Sequence, residues 1–179
     1  FQLSHFLRSS PSLCRLEMLG NGEDMEEVSI ESETLKTTIV IESISRSRSL
    51  VSLSLGDVVF GEHCPLEGFL SSTRTLSEFT FQTYSSTMAH GTAQAIGRGL
   101  AQNKALVKLH WDTPDGIEFM EEVLFGLFDH IKLKSLELEL QLTKSSSQVL
   151  RSLLHCNETL EYFKLILHRS EEEFPVMAS

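Results

Sequence analysis

Apolar residues return along this chain in two phases that keep a fixed distance from each other. In the stretch Gly91 to Trp111, GTAQAIGRGLAQNKALVKLHW, Ile96 and Leu100 stand four apart on one helical face, and from Leu106 onward apolar and polar residues alternate as in a strand. Counted back from Leu106, the helical pair sits at minus ten and minus six. The same pair precedes Leu13 (Leu3, Leu7), Leu50 (Val40, Ile44), Leu76 (Leu66, Leu70), Leu133 (Val123, Leu127) and Leu160 (Leu150, Leu154). Six returns of one helix-to-strand offset predict a repeat array.

The strand motifs read LCRLEM, LVSLSL, LSEFTF, LVKLHW, LKSLELEL and LEYFKLIL, starting near 13, 50, 76, 106, 133 and 160, with spacings of 37, 26, 30, 27 and 27 residues. The excess in the first spacing falls in an acidic, glycine-punctuated segment, so a loop insertion is expected over about 20–32. The run LKTTIVIESIS from Leu35 is rich in β-branched residues, yet its register makes it a helix. A further helix is expected over residues 1–10, stopped at Pro11. Another should run from Gly116 to His130, carrying Phe119, Val123, Leu127 and Ile131, and another from Ser146 to His155. Residues 169–179 carry no such column and read as a frayed tail.

A single repeat cannot fold by itself. It buries about six side chains at roughly 1.5 to 3 kcal/mol each, against about 1 to 2 kcal/mol of backbone entropy for each of its residues. Stacking gives every helix and strand two neighbours, which sets a parallel sheet on one side and helices on the other, joined by right-handed crossovers. Polar residues at the outward strand positions leave one sheet face open to solvent.

With these columns in place, GTAQAIGRGLAQNKALVKLHW and SSQVLRSLLHCNETLEYFKL resemble the leucine-rich repeat family, in particular its ribonuclease-inhibitor-like type, with Asn103 and Asn157 at the turn before the strand. The resemblance covers residues 1–168. It implies an α/β fold: a right-handed leucine-rich repeat solenoid of about six strand-helix repeats, with the parallel sheet concave and the helices convex. The Asn or Cys expected nine places into the strand motif is replaced by Val58, Tyr84, Pro114, Gln141 and His168, which marks a degenerate array.

Charge narrows the choice of partner. The chain has 179 residues and a formal net charge of -10, which argues against nucleic acid, since phosphate binding draws on clustered Lys and Arg. A protein with a basic surface is the expected partner. No run approaches the length of apolar sequence that a membrane helix needs, so no membrane partner is expected. The three cysteines, Cys14, Cys64 and Cys156, share no motif spacing and read as reduced thiols of a cytoplasmic protein.

Catalytic chemistry finds little support. Gly91, Gly97 and Gly99 match no phosphate-loop spacing and lie in or beside a helix, where close helix packing explains them. His63-Cys64 and His155-Cys156 occupy different places in their repeats and make no zinc set. No nucleophile elbow occurs. The expectation is a chain without enzymatic activity, metal or cofactor.

What remains is the open sheet face. Its third-position row reads Arg15, Ser52, Glu78, Lys108, Ser135, Tyr162, and its fifth-position row reads Glu17, Ser54, Thr80, His110, Glu137, Lys164. The seventh position adds Gln82, Asp112 and Glu139. Candidate partner-binding residues are Glu78, Thr80, Lys108, His110, Asp112, Glu137, Glu139, Tyr162 and Lys164. The expected function is a non-catalytic protein-interaction scaffold, either a domain on its own or a segment of a larger repeat protein. The resemblance also extends to Ran GTPase-activating proteins and ribonuclease inhibitors, which makes regulation of an enzyme in trans the first alternative. A substrate-recognition arm of a ubiquitin ligase or an immune-type receptor is the second.

Overall fold

A computed structural model describes residues 10, 12–20, 30–45, 47–58, 60, 64–83, 90–113, 120–128, 130, 132–140 and 143–168. The expected helix over residues 1–10 and the expected tail therefore lie outside the described residues, except for Ser10. Strands and helices alternate as β1 (Arg15–Leu19), α1 (Ile30–Ile44), β2 (Ser52–Gly56), α2 (Leu66–Ser72), β3 (Glu78–Gln82), α3 (His90–Gln102), β4 (Lys108–Thr113), α4 (Met120–Phe125), β5 (Ser135–Leu140), α5 (Lys144–Cys156) and β6 (Tyr162–Leu167). All six strands lie in one parallel sheet, in chain order from β1 to β6. This is the leucine-rich-repeat-like solenoid that the offsets predict.

The register follows the expected rows. Arg15 pairs Ser52, Ser52 pairs Glu78, Glu78 pairs Lys108, Lys108 pairs Ser135 and Ser135 pairs Tyr162. Two residues further along, Glu17, Ser54, Thr80, His110, Glu137 and Lys164 stand side by side. The intervening residues turn inward, where Leu53, Leu55, Phe79, Phe81, Leu109, Trp111, Leu136 and Leu138 are all buried against the helices. Phe81 and Trp111 stack with ring centroids 4.7 Å apart, and the indole N–H is satisfied by Thr113 Oγ1 at 2.8 Å.

Helical columns hold through the middle of the array: Leu66 and Leu70, Ile96 and Leu100, and Val123 and Leu127 are fully buried. They shift by one residue at its two ends. In α1 the buried pair is Ile41 and Ile44, with Val40 only partly covered. In α5 Leu153 is buried at 1 % exposure while Leu154 stands out at 37 %. Ile44 and Leu150 keep the expected column, and a helix turns 100° per residue, so the neighbours Ile41 and Leu153 also fall within reach of one broad buried stripe. Two boundaries also differ. Helix α1 begins at Ile30, inside the expected loop, and α4 ends at Phe125 in a turn, so Leu127 reaches the core from outside the helix.

Glycine sets the spacing of the central helices. A Cβ at Gly97 would stand 2.3 Å from the Glu122 carbonyl oxygen, and one at Gly126 would stand 2.3 Å from that of Gly97. On the other side of α3, a Cβ at Gly99 would meet the Leu70 Cβ at 2.9 Å. Helix α3 is thus clamped between α2 and α4 at distances that only glycine permits. Gly91 has nothing within 4 Å and takes no part in this packing.

Candidate functional site

The helices leave the outward sheet face bare, and its charges gather on β4, β5 and β6. Glu137 stands at the centre. His110 Nδ1 lies 3.4 Å from Glu137 Oε2, Lys108 Nζ lies 3.9 Å from Oε1, and Lys164 Nζ lies 4.0 Å from Oε2. The arrangement follows from strand geometry. Parallel strands about 4.8 Å apart put same-row residues within reach, and Lys108 joins from two positions back on the neighbouring strand. The Glu137 side chain is 19 % exposed, whereas the two lysines are about half exposed at 48 % and 46 %.

These contacts are long for hydrogen bonds, and surface ion pairs of this kind contribute only about 0 to 1 kcal/mol each. Stability therefore does not account for gathering three basic side chains around one carboxylate. Both lysine heads remain accessible to solvent. Two further pairs extend the strip. Arg15 Nη2 reaches Glu78 Oε2 at 3.6 Å, passing over β2, and His168 Nε2 lies 3.0 Å from Glu139 Oε1. Tyr162, half exposed on the edge strand, closes the strip on one side, and Thr80 lies partly exposed in its fifth-position row.

Asp112 corrects the expectation. The seventh position of β4 does not open to solvent: β4 runs on to Thr113, Asp112 sits in the ladder between Gln82 and Glu139, and it is only 5 % exposed. Asp112 is part of the wall and not of the surface. Glu78, Thr80, Lys108, His110, Glu137, Glu139, Tyr162 and Lys164 all lie on strands of the same sheet, with Glu78 and Thr80 toward β1 and the others clustered from β4 to β6.

A second set of side-chain hydrogen bonds ties one repeat to the next at the bottom of the strands. Three places before the leading Leu, Asn103 is fully buried, donates to the Leu70 carbonyl at 2.8 Å, and accepts from the backbone N–H of Ala105 and Leu106 at 2.8 Å each. Asn157 repeats this with Thr159 and Leu160, and reaches back to the His130 carbonyl at 3.4 Å. His130 fills the same column, donating from Nε2 to the Leu100 carbonyl at 2.6 Å. One place before the leading Leu, the hydroxyls of Ser49, Thr75 and Thr159 donate to the carbonyls of Leu13, Leu50 and Leu133. The sequence pattern marks the two asparagines but neither the histidine nor the hydroxyls. Their signal is a polar residue held at one place in each repeat while its identity changes.

Among solved structures the chain is similar to leucine-rich-repeat-like domains. The structure of leiomodin-1 actin-binding site 2 matches with a TM-score of 0.62 at 13% identity, covering 87% of this chain and 87% of that one. The tropomodulin C-terminal domain of Caenorhabditis elegans matches with a TM-score of 0.55 at 13% identity, covering 87% of this chain and 91% of that one. At this identity the likeness shows the fold. No protein-family model and no curated protein sequence matches the chain.

Proposed function

We propose that this chain is a non-catalytic protein-interaction scaffold that receives a protein partner on its concave sheet face. The observation that carries this reading is the open strip around Glu137, where Lys108, His110 and Lys164 converge although their pairing adds little stability. Accessible lysine heads and the half-exposed Tyr162 present mixed contacts of the kind that concentrate binding energy. Glu78 and Glu139 would meet basic groups of the partner, in keeping with the net charge of -10. Cytoplasmic placement belongs to the same reading and is supported by three free cysteines. The repeat is read as the ribonuclease-inhibitor-like type on its spacing and its helix in each repeat.

The leiomodin-1 domain of like fold is an actin-binding site, so actin is the first partner to test. The experiment measures binding to actin filaments by cosedimentation and to actin monomers by fluorescence anisotropy, with the parent and with a Lys108→Ala/His110→Ala/Glu137→Ala/Lys164→Ala variant. Binding by the parent, weakened tenfold or more in the variant (about 1.4 kcal/mol), supports the reading. If binding is unchanged in that variant and lost in a helix-face Glu67→Ala/Arg98→Ala variant, the concave site is wrong. If actin does not bind, the same variants are carried to partners captured from lysate. A captured enzyme whose turnover changes on binding would then favour regulation in trans.

A further inference from the structure

Strand β6 ends the sheet with an edge whose chemistry is complementary to itself. Tyr162 and His168 donate their backbone N–H groups to Lys134 and Leu140 of the β5 side, at 2.9 and 3.1 Å. Backbone groups alternate sides along a strand, so even-numbered residues of β6 face β5. The N–H and C=O groups of Phe163, Leu165 and Leu167 therefore face outward from the edge. Those same residues carry apolar side chains, with Phe163 36 % and Leu167 56 % exposed. Lys164 is the one charged side chain of this strand, and the open row of backbone groups on either side of it is a template for another strand.

We propose that β6 is the seam of a two-fold dimer, in which it pairs antiparallel with β6 of a second copy in the register centred on Leu165. In that register Leu165 faces its own copy, and Phe163 faces Leu167 in both directions, so all outward backbone groups of the three residues are used. Lys164 lies opposite Ile166, and Tyr162 lies opposite His168. Charge selects this register over its neighbour. Centring the seam on Lys164 would set two ammonium groups face to face on the two-fold axis, where like charges oppose pairing. Centring on Leu165 instead brings each Lys164 beyond Ile166 toward Glu139 of the other copy, which Ile166 pairs directly. A reach of that kind already exists on this face, since Arg15 crosses β2 to Glu78 at 3.6 Å.

Head-to-tail stacking of β6 on β1 is the competing use of the edge. It does not close, and it would grow open chains where the two-fold seam stops at two copies.

The test is sedimentation of the full chain at micromolar to tens of micromolar concentration, combined with oxidative crosslinking in a Cys14→Ser/Cys156→Ser background. A closed monomer–dimer equilibrium is expected, with a Kd raised tenfold or more by Leu165→Lys (roughly 1.4 kcal/mol). It should weaken in 1 M salt, where the Debye length is only about 3 Å. Leu165→Cys should crosslink, because paired Cα atoms about 5.5 Å apart lie inside the disulfide window. Lys164→Cys should not, since its diagonal separation of about 7 to 8 Å lies outside that window. Circular dichroism of dilute Leu165→Lys and Leu165→Cys separates loss of pairing from loss of folding, and Leu165→Cys keeps an apolar side chain. A parent that stays monomeric, growth past two copies, or crosslinking through Lys164→Cys in place of Leu165→Cys would each overturn the proposal.

Discussion

The fourth and sixth strands are entered through the same pattern of turn asparagine and leading leucine, in QNKALVKLHW and CNETLEYFKL, and they end in different surroundings. Around β4, Asn103 is fully buried and holds Leu70 at 2.8 Å, and Leu100 and Leu109 are sealed. Around β6, Asn157 is partly exposed with a 3.4 Å reach, Leu154 is turned out, and Phe163 is 36 % exposed although the equivalent Phe79 of β3 is 1 % exposed. The motif prescribes which side chain points inward. Whether that side chain leaves water depends on the next repeat, because in a stacked array each unit buries its flank only against its neighbour. Burial in this protein is a property of pairs of repeats.

The sharpest way to break that comparison is a charge in each column. Leu100→Asp and Leu127→Asp place a carboxylate in sealed core positions and should each destabilise by roughly 4 kcal/mol or more, whereas Leu154→Asp should change stability by less than about 1 kcal/mol. Urea unfolding midpoints measure all three, with exposed Lys104→Asp as a control. Equal losses at Leu100 and Leu154 would mean that the two ends of the array are as closed as its middle.

The asparagines offer the same contrast on a smaller scale. Asn103→Ala removes three hydrogen bonds from a fully buried site and strands two backbone N–H groups and a carbonyl, so a loss of about 3 kcal/mol is expected. At the half-solvated Asn157, water can take over the freed groups, and the expected loss is about 1 kcal/mol. Denaturant melts of the two alanine variants, read side by side, give the ratio.

Cys64 lets the packed part of the array be read by titration. Burial first, with a lesser effect from Glu67, pushes the Cys64 thiol from 9.0 to about 11, opposed by a backbone hydrogen bond at Leu66. A folded pKa above the unfolded one stabilises the protein below pH 9. That stability is lost as pH rises toward 11, by about 2 kcal/mol in all. Cys64→Ala should remove this alkaline slope. Stability measured from pH 8 to 11 decides the matter.

Much of this is legible in the sequence because leucines mark the strand columns. With six strand motifs in phase, the cross-strand rows can be written down, and Glu137 beside His110 and Lys164 follows from that alignment alone. The departures have physical causes. Val40 and Leu154 fit the column but yield to Ile41 and Leu153, while Ile44 and Leu150 keep it, because a buried helical stripe is wider than one column and an offset names only one residue of it. Asp112 reads as surface because strand alternation says nothing about how far β4 runs before it ends. His130 is invisible as a partner of the Leu100 carbonyl because its column holds Ser, Ser, Thr, Asn, His and Asn in turn, and His130 shares with Asn103 and Asn157 a bond to a carbonyl of the preceding repeat but not a residue type.

Glycine gives the smallest and finest version of the comparison, since among the described residues α3 has helices on both flanks and α5 on one. Helix α3 carries Gly97 against α4 and Gly99 against α2, while α5, KSSSQVLRSLLHC, contains no glycine. If glycine is there for the neighbours, its replacement should hurt only where a neighbour stands. Gly97→Ala gains about 1 kcal/mol of helix propensity but drives a methyl group to 2.3 Å from a backbone oxygen of Glu122, which α4 can relieve only by moving away. Overpacking of this kind costs about 1 to 3 kcal/mol, so the net change should be a loss of up to roughly 2 kcal/mol. Gly91→Ala sits in the same helix with nothing within 4 Å, keeps the propensity gain, and should stabilise by about 0.5 to 1 kcal/mol. Opposite signs from one substitution in one helix, read from thermal melts of the two variants, would show that the spacing between central helices is set by contact with the next repeat. A gain at both positions would mean that α3 and α4 part without loss, and that the middle of the array is no tighter than its end.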